Sequence, residues 1–338
     1  MATTENAVER AKDAEIVQRT AGDGASASDD FVVPAGVKQP RTSAFGVFRQ
    51  MPILAKLGVM WLIVVFAGAI YAQLDLRVFN GSLPLADPNL QLNNFNPATG
   101  EFGTAEVNES PSWAHLLGTD ALARDTFSRA VHGSYVSVAV AVVSVTCGVI
   151  VGGILGSLVG FVRGKTETAF MAMIDVLLAF PALVLLLALI SIFEVRSLFV
   201  ISFVIGLLSI PAYMRVSRAN SLAISNREFV MAAQAIGTKK RTILWREIIP
   251  NVMPTLIAYA MVAAAGVIVV EGALSFLGLS VQLPTSTWGN MINQGRRDIK
   301  SDFGQVLYPA LILTFTVLAL NQVGDFFQRR SAHRGSSL

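Results

Sequence analysis

Six stretches of this chain are each apolar for close to twenty residues, and a water-soluble domain has no use for so many. They run approximately from Leu57 to Leu74, Val136 to Val162, Ile174 to Phe193, Leu198 to Arg215, Met253 to Ser275 and Val306 to Phe326. A hydrocarbon layer about 30 Å thick takes roughly 20 helical residues to cross. Inside it each backbone N–H and C=O must bond within its own segment, so runs of this length read as helices. Charged residues are only 14% of the 338, against about 25% in soluble domains. The expected fold is an all-α integral membrane protein with six transmembrane helices.

Charge sets the orientation. With the amino terminus in the cytoplasm, 19 of the 26 Lys and Arg residues face that side, including Arg163, Lys165, the Arg215 to Arg246 loop and the Arg329, Arg330, Arg334 tail. This placement accounts for the basic pI without nucleic acid. The domain reading is a disordered cytoplasmic leader (1–53), a first transmembrane helix (54–74) and an extracytoplasmic segment with an amphipathic helix (75–134). A core holding the other five spans (135–328), with a cytoplasmic loop (215–252), and a tail (329–338) complete it. The amphipathic helix is expected after Trp113, with Asp120–Arg124 and Asp125–Arg129 as i,i+4 pairs on a solvated face. Glu194 to Ser197 reads as a tight hairpin between spans three and four.

Within the second span, Ser144, Gly148, Gly152, Gly156 and Gly160 put a small residue at every fourth position, with Gly153 beside them. Such a face lets another helix approach closely, in this chain or in a second one. Pro181, Pro211 and Pro309 are expected to kink spans three, four and six. Asp175 and Glu271 are acids at or inside spans, each read as capping or bonding a neighbouring helix rather than forming a proton relay.

The loop before Met253 contains "REFVMAAQAIGTKKRTILWREIIPN". A helix begun near Asn226 or Arg227 places Phe229, Ala232 and Ala233 on one side, and Gly237 supplies the positive φ that ends it. Lys239, Lys240 and Arg241 then start a second short helix carrying Ile243, Leu244 and Ile248, stopped by Pro250. A small-residue face flanked by cations suits a groove on another protein or an anionic leaflet. No catalytic residue or metal site is expected: Cys147 is the one cysteine, and the three histidines are scattered. Gly164-Lys165-Thr166 imitates the end of a phosphate loop, but Val159 stands where that loop needs glycine. Any ATP-driven work must therefore come from another chain.

At these residues the chain resembles the permease subunits of ABC importers, specifically the C-type subunit of the dipeptide, oligopeptide and nickel family. "FVMAAQAIGTKKRTILWREIIPN" resembles the family's coupling loop through Ala232, Ala233, Gly237 and Pro250, with Glu228, Phe229 and Lys239 in the same segment. "HLLGTDALARDTFSRAVHG" resembles its external signature through Gly118, Thr119, Asp120, Arg124, Asp125, Ser128, Arg129 and Gly133. "EGALSFLGL", "WGNMINQGR" and "NQVGD" extend the likeness from about Trp113 to Asp325. Met231, Ala123 and Glu247 depart from it, where the family usually has an acid, a glycine and a histidine.

The resemblance implies a type I importer fold paired with a homologous permease. It also implies two ATPase subunits or domains carrying ATP and Mg, an extracytoplasmic peptide-binding receptor, and a lipid bilayer around the whole. Dipeptides, longer peptides and nickel chelates are all substrates of such relatives. An ion-gradient transporter and a membrane-anchored scaffold are the competing classes. The first would need more intramembrane acids or an inverted repeat.

Overall fold

The computed structural model describes residues 44–78, 85, 87–93, 95–96, 101–102, 105–193, 196–300 and 302–336. The leader up to residue 43 and two residues of the expected 194–197 hairpin lie outside them. One unit, residues 1–49, contains a short helix α1 (Ala44–Arg49). The other, residues 50–338, holds the membrane bundle.

Its elements are α2 (Ile53–Arg77), α3 (Thr126–Val162), α4 (Lys165–Ala179), α5 (Ala182–Ser191) and α6 (Leu198–Ser225). They continue through α7 (Glu228–Ala235), α8 (Lys240–Phe276), α9 (Trp288–Gly295) and α10 (Gly304–Ser336). A two-residue antiparallel pair, β1 (Phe95–Asn96) with β2 (Glu101–Phe102), lies in the segment after α2. Five helices (α2, α3, α6, α8 and α10) are long and apolar enough to cross a membrane, and α4 with α5 makes a sixth span bent by 87°. This is the expected all-α membrane fold, with helices longer than their apolar runs. The basic loop expected over 215–252 contracts to 226–239, because α6 continues to Ser225 and α8 begins at Lys240.

The three prolines behave differently. Pro181 does more than kink its span, since it separates α4 from α5. Phe180 before it is extended (ψ 139°), as the steric clash between a proline ring and the preceding residue favours. Pro211 and Pro309 lie inside continuous helices, which neighbours in a membrane bundle can tolerate. Pro250 does not stop a helix either. It lies inside the continuous α8, where a π-turn at Leu244–Ile248 passes into the α-helical stretch that begins at Ile249.

The core joins Leu62 and Val65 of α2, Val136 and Val140 of α3, Ile190 of α5, Ile201 and Val204 of α6, Ile268 and Leu274 of α8, and Leu320 of α10. Around it α2 turns Ile53, Met60, Ile63 and Ile70 outward, a surface suited to lipid. The glycine stripe of α3 finds its partner within this chain. A Cβ added at Gly152 would sit 2.7 Å from the Ile210 carbonyl oxygen, and one at Gly160 would sit 2.7 Å from that of Arg218, both on α6. Gly148 and Gly156 meet Tyr213 and Met214 in the same way. Serines lock the seam: Ser144 Oγ donates to the Ser202 carbonyl (2.9 Å), Ser217 Oγ to Gly153 (2.6 Å) and Ser221 Oγ to Ser157 (2.8 Å). Close backbone approach and interhelical hydrogen bonds are what hold helices together where lipid removes the hydrophobic drive.

Candidate functional sites at the two ends of the bundle

At one end, α7 projects between α6 and α8. Its anchor is Val230, which is fully buried against Ile243, Leu244, Ile248 and Tyr213. Its neighbours face outward: Phe229 is 41% exposed and Met231 51%, Ala232 is exposed and Ala233 half-buried. Glu228 lies in the first turn, where a carboxylate suits the positive end of a helix. Gly237 has φ +79° and ends α7: its N–H bonds the Gln234 carbonyl at 3.0 Å, while the Thr238 N–H bonds that of Ala233 at 3.0 Å. Ile236, next to it, is 82% exposed. Lys239 is the N-cap of α8 and offers no side-chain cap.

The segment is tied down from the α3–α4 side. Arg163 Nη2 donates to Asn226 Oδ1 at 2.8 Å, and Arg218 on α6 pairs with Glu167 on α4. Asp175, expected to bond a neighbouring helix, pairs with Arg215 of α6 on an exposed face. Gly164 (φ +82°) turns α3 into α4, so the Gly-Lys-Thr fragment is a helix connection.

At the other end, the expected amphipathic helix is absent. Residues 113–124 form turns, and the first helix there is α3, opened by Asp125, whose Oδ1 accepts from the Ser128 N–H at 2.7 Å. A side chain turned back to cap cannot also reach Arg129, and Asp125 Oδ2 instead meets His115 Nδ1 at 2.9 Å. The Asp120–Arg124 pair does form (2.6 Å), but across a turn. Asp120 Oδ2 also faces Arg129 Nε at 3.5 Å.

These groups are buried rather than solvated. Arg129 is 1% exposed, donates to the Pro88 carbonyl at 3.1 Å, and shares Gln294 Oε1 of α9 with Arg124 at 3.4 and 2.8 Å. Thr119 Oγ1 donates to the Glu106 carbonyl and accepts from the Glu109 N–H. Gly118 (φ +72°) lies so close to the Glu109 carbonyl that any side chain would collide with it. Ser128 Oγ meets His132 Nδ1 at 3.3 Å, and Trp288 Nε1 ties α9 to the Ala130 carbonyl at 2.9 Å. Seven residues of the signature thus form one bonded rim beside a cleft of about 550 Å³ lined by Asp120, Arg124, Gln294 and Gln305.

Sequence reasoning missed Gln294, which stood in a quoted motif without a role, and Val230, hidden among its exposed neighbours. It also missed the two hydroxyls on Glu271. Ser137 Oγ of α3 and Ser280 Oγ donate to its carboxylate at 3.0 and 3.1 Å, so the acid bonds a neighbouring helix as expected.

A bundle of membrane-length helices, with a short helix held out at one end and a bonded polar rim at the other, defines a multi-pass membrane permease. Residues 130–336 match the family described as binding-protein-dependent transport system inner membrane component, and the chain belongs to it. It is a permease subunit of an ABC importer. It is similar to the glutathione transport system permease protein GsiD of Pectobacterium atrosepticum, 35% identical over 68% of this chain and 75% of that protein. The GsiD of Escherichia coli O6:K15:H31 is 36% identical over the same shares. A Brucella suis biovar 1 protein, named provisionally as a peptide permease protein, is 37% identical over 65% of this chain and 73% of its own length.

Proposed function

We propose that this subunit forms half of an ATP-driven import path for peptides, pairing with a homologous permease and receiving its motion from cytoplasmic ATPases at α7. The observation that carries this reading is the exposed apolar side chains of this segment: Phe229 and Met231 on α7 and Ile236 just past its end stand exposed outside the spans, on a segment that Val230 clamps to the bundle. Exposed apolar groups followed in the chain by the exposed Lys239, Lys240 and Arg241 suit a protein-docking surface. The clamp matters as much as the surface, because packed side chains add to the short connections 226–227 and 236–239 in passing a pull on α7 to α6 and α8. ATP then works by population shift, favouring the spacing of coupling segments that the closed ATPase pair can hold.

The names of the relatives supply the substrate class, peptides and glutathione. On this reading the α7 end and both termini face the cytoplasm, and the polar rim faces a substrate receptor outside. ATP and Mg belong to the ATPase partners, with Glu228, Phe229, Ala232, Ala233, Gly237, Lys239 and Pro250 forming the coupling segment. A photo-crosslinking residue at Ala233 in intact membranes tests it: capture of a nucleotide hydrolase is expected, and its consistent absence overturns the assignment. Uptake by reconstituted vesicles must also stop without ATP, since gradient-driven transport would continue.

A further inference from the structure

Two guanidinium groups share one carboxylate beside the cleft at the polar rim. Asp120 Oδ2 accepts from Arg124 Nε at 2.8 Å and faces Arg129 Nε at 3.5 Å, and among the described residues neither arginine pairs with a second acid. Their other common partner is neutral, the Gln294 Oε1 already described. Buried charges are ordinarily paired, so this rim holds one cation more than it neutralises.

The spare donors lie along the cleft. Arg124 is 6% exposed and spends Nε and Nη2 on Asp120 and Gln294, while its Nη1 makes no bond and is not sealed from solvent. Gln294 turns its oxygen to both guanidinium groups, which leaves its Nε2 a donor with no acceptor among the described residues. Arg297, three residues further on, lines the same cleft, stands exposed and makes no side-chain bond among those residues. Against the three arginines of rim and cleft stand Asp120 and Asp298, so the surplus is positive.

The hollow is about 550 Å³, within the range of about 300–1,000 Å³ usual for binding sites. Two exposed leucines line it outside the spans: Leu122 in the turn before α3, and Leu283 between α8 and α9. Large apolar side chains exposed around a polar hollow suit a protein surface better than a free ion. The geometry points to a docking socket for the extracytoplasmic receptor, in which Arg124 and Arg297 take an acidic side chain of the receptor while Leu122 and Leu283 pack against the surface around it. Charge complementarity selects this occupant, since a carboxylate answers unpaired guanidinium donors with charge-assisted hydrogen bonds. A second copy of this chain, docked socket to socket, would bring the same surplus of cations. The inference deepens the importer reading above and rests on it.

The test uses the complete transporter in nanodiscs and the receptor that co-purifies with it, supplied empty and loaded with peptide. Arg297→Glu changes an exposed side chain that bonds nothing, so the fold is kept. It is expected to raise koff of both receptor forms at least tenfold, because an acid then faces an acid in a contact closed to water. Arg124→Lys keeps a cation on Asp120 but withdraws Nη1, and koff should again rise severalfold while the complex assembles. Arg296→Glu reverses a neighbouring charge that does not line the cleft, and is expected to slow kon and leave koff within about twofold.

An unchanged koff in Arg297→Glu overturns the socket while leaving ATP-driven import intact. So does an equal rise in Arg296→Glu, which would mark a general surface field, or a rise for the loaded receptor alone, which would assign the carboxylate to the peptide. Normal docking by both cleft variants, with uptake lost only when anionic phospholipid is present, would give the cleft to a lipid headgroup and overturn it too. A wild-type complex that never captures a receptor sinks the importer reading and this inference together.

Discussion

Ser137 on α3 donates a hydrogen bond of 3.0 Å to Oε2 of Glu271 on α8, joining two spans at positions 134 residues apart. Ser280 Oγ, just past the end of α8, donates to Oε1 of the same carboxylate at 3.1 Å. Glu271 is fully buried, so both hydroxyls depend on it where water cannot substitute. Glu271→Ala should lower stability by about 3 kcal/mol, from two orphaned donors and a cavity. Glu271→Gln keeps the shape and an acceptor and should lose less than half of that. Thermal unfolding of the purified complex decides it: the alanine variant must melt below the glutamine variant, and equal midpoints would show that the carboxylate holds nothing together.

The seam between α3 and α6 makes a sharper steric prediction. A Cβ at Gly156 would run into the Met214 carbonyl and lie 2.8 Å from Ser217 Cβ, whereas one at Gly68 finds ordinary contacts at 3.5 Å. Gly156→Ala must force backbone apart along a bonded interface and should cost about 2–3 kcal/mol. Gly68→Ala should be neutral or slightly stabilising, since alanine is the better helix former. Comparable melting of the two variants would mean the stripe does not set the helix separation.

That stripe shows what the sequence could and could not disclose. The four-residue period of Gly148 to Gly160 was legible because it lies within one helix, but its partner was not. Ser209, Ser217 and Ser221 of α6 donate to carbonyls of α3, and Ser144 of α3 donates to the Ser202 carbonyl of α6, and no local spacing reports a contact some 60 residues away. Asp125 and Arg129 failed for a related reason. Their i,i+4 spacing was read as a helical pair, but Asp125 is the residue at which the helix starts and its side chain turns back to cap it. Gly237 succeeded because a turn that needs positive φ is a local demand that one residue type answers. Glu271 was visible as an acid among apolar residues, while Ser137 looks like any other small span residue and Ser280 like any loop serine.

Ala123, read from the sequence as a departure from the resemblance, holds a backbone conformation that strains it. Its φ of +53° is the left-handed conformation glycine adopts freely. It is also fully buried, with its N–H bonded to the Asp120 carbonyl at 2.9 Å, so the turn cannot relax outward. Ala123→Gly should remove the strain and stabilise the protein by about 0.5–1 kcal/mol, net of the extra freedom glycine gains when unfolded. A thermal midpoint one to several degrees higher is expected, roughly. A lower midpoint would mean that the alanine methyl contributes more through packing than its backbone loses.

Gly237 separates folding from coupling. An added Cβ there meets nothing within 4 Å, so no clash spreads into the bundle, but its φ of +79° strains any L side chain. Gly237→Val should cost about 1–3 kcal/mol confined to the end of α7, weakening the Thr238 to Ala233 bond and turning Phe229 and Ile236 away from their present aim. Membrane insertion and the second permease subunit should be retained, because Val230 and the α3–α6 seam lie elsewhere. Peptide uptake should fall at least tenfold, with ATP hydrolysis no longer stimulated by the loaded receptor. Gly237→Asn should keep a clearly larger share of uptake, since asparagine enters the left-handed region several-fold more readily than most residues. The measurement is uptake and hydrolysis on the same vesicles. A valine variant that transports at the wild-type rate would remove α7 from the path of force.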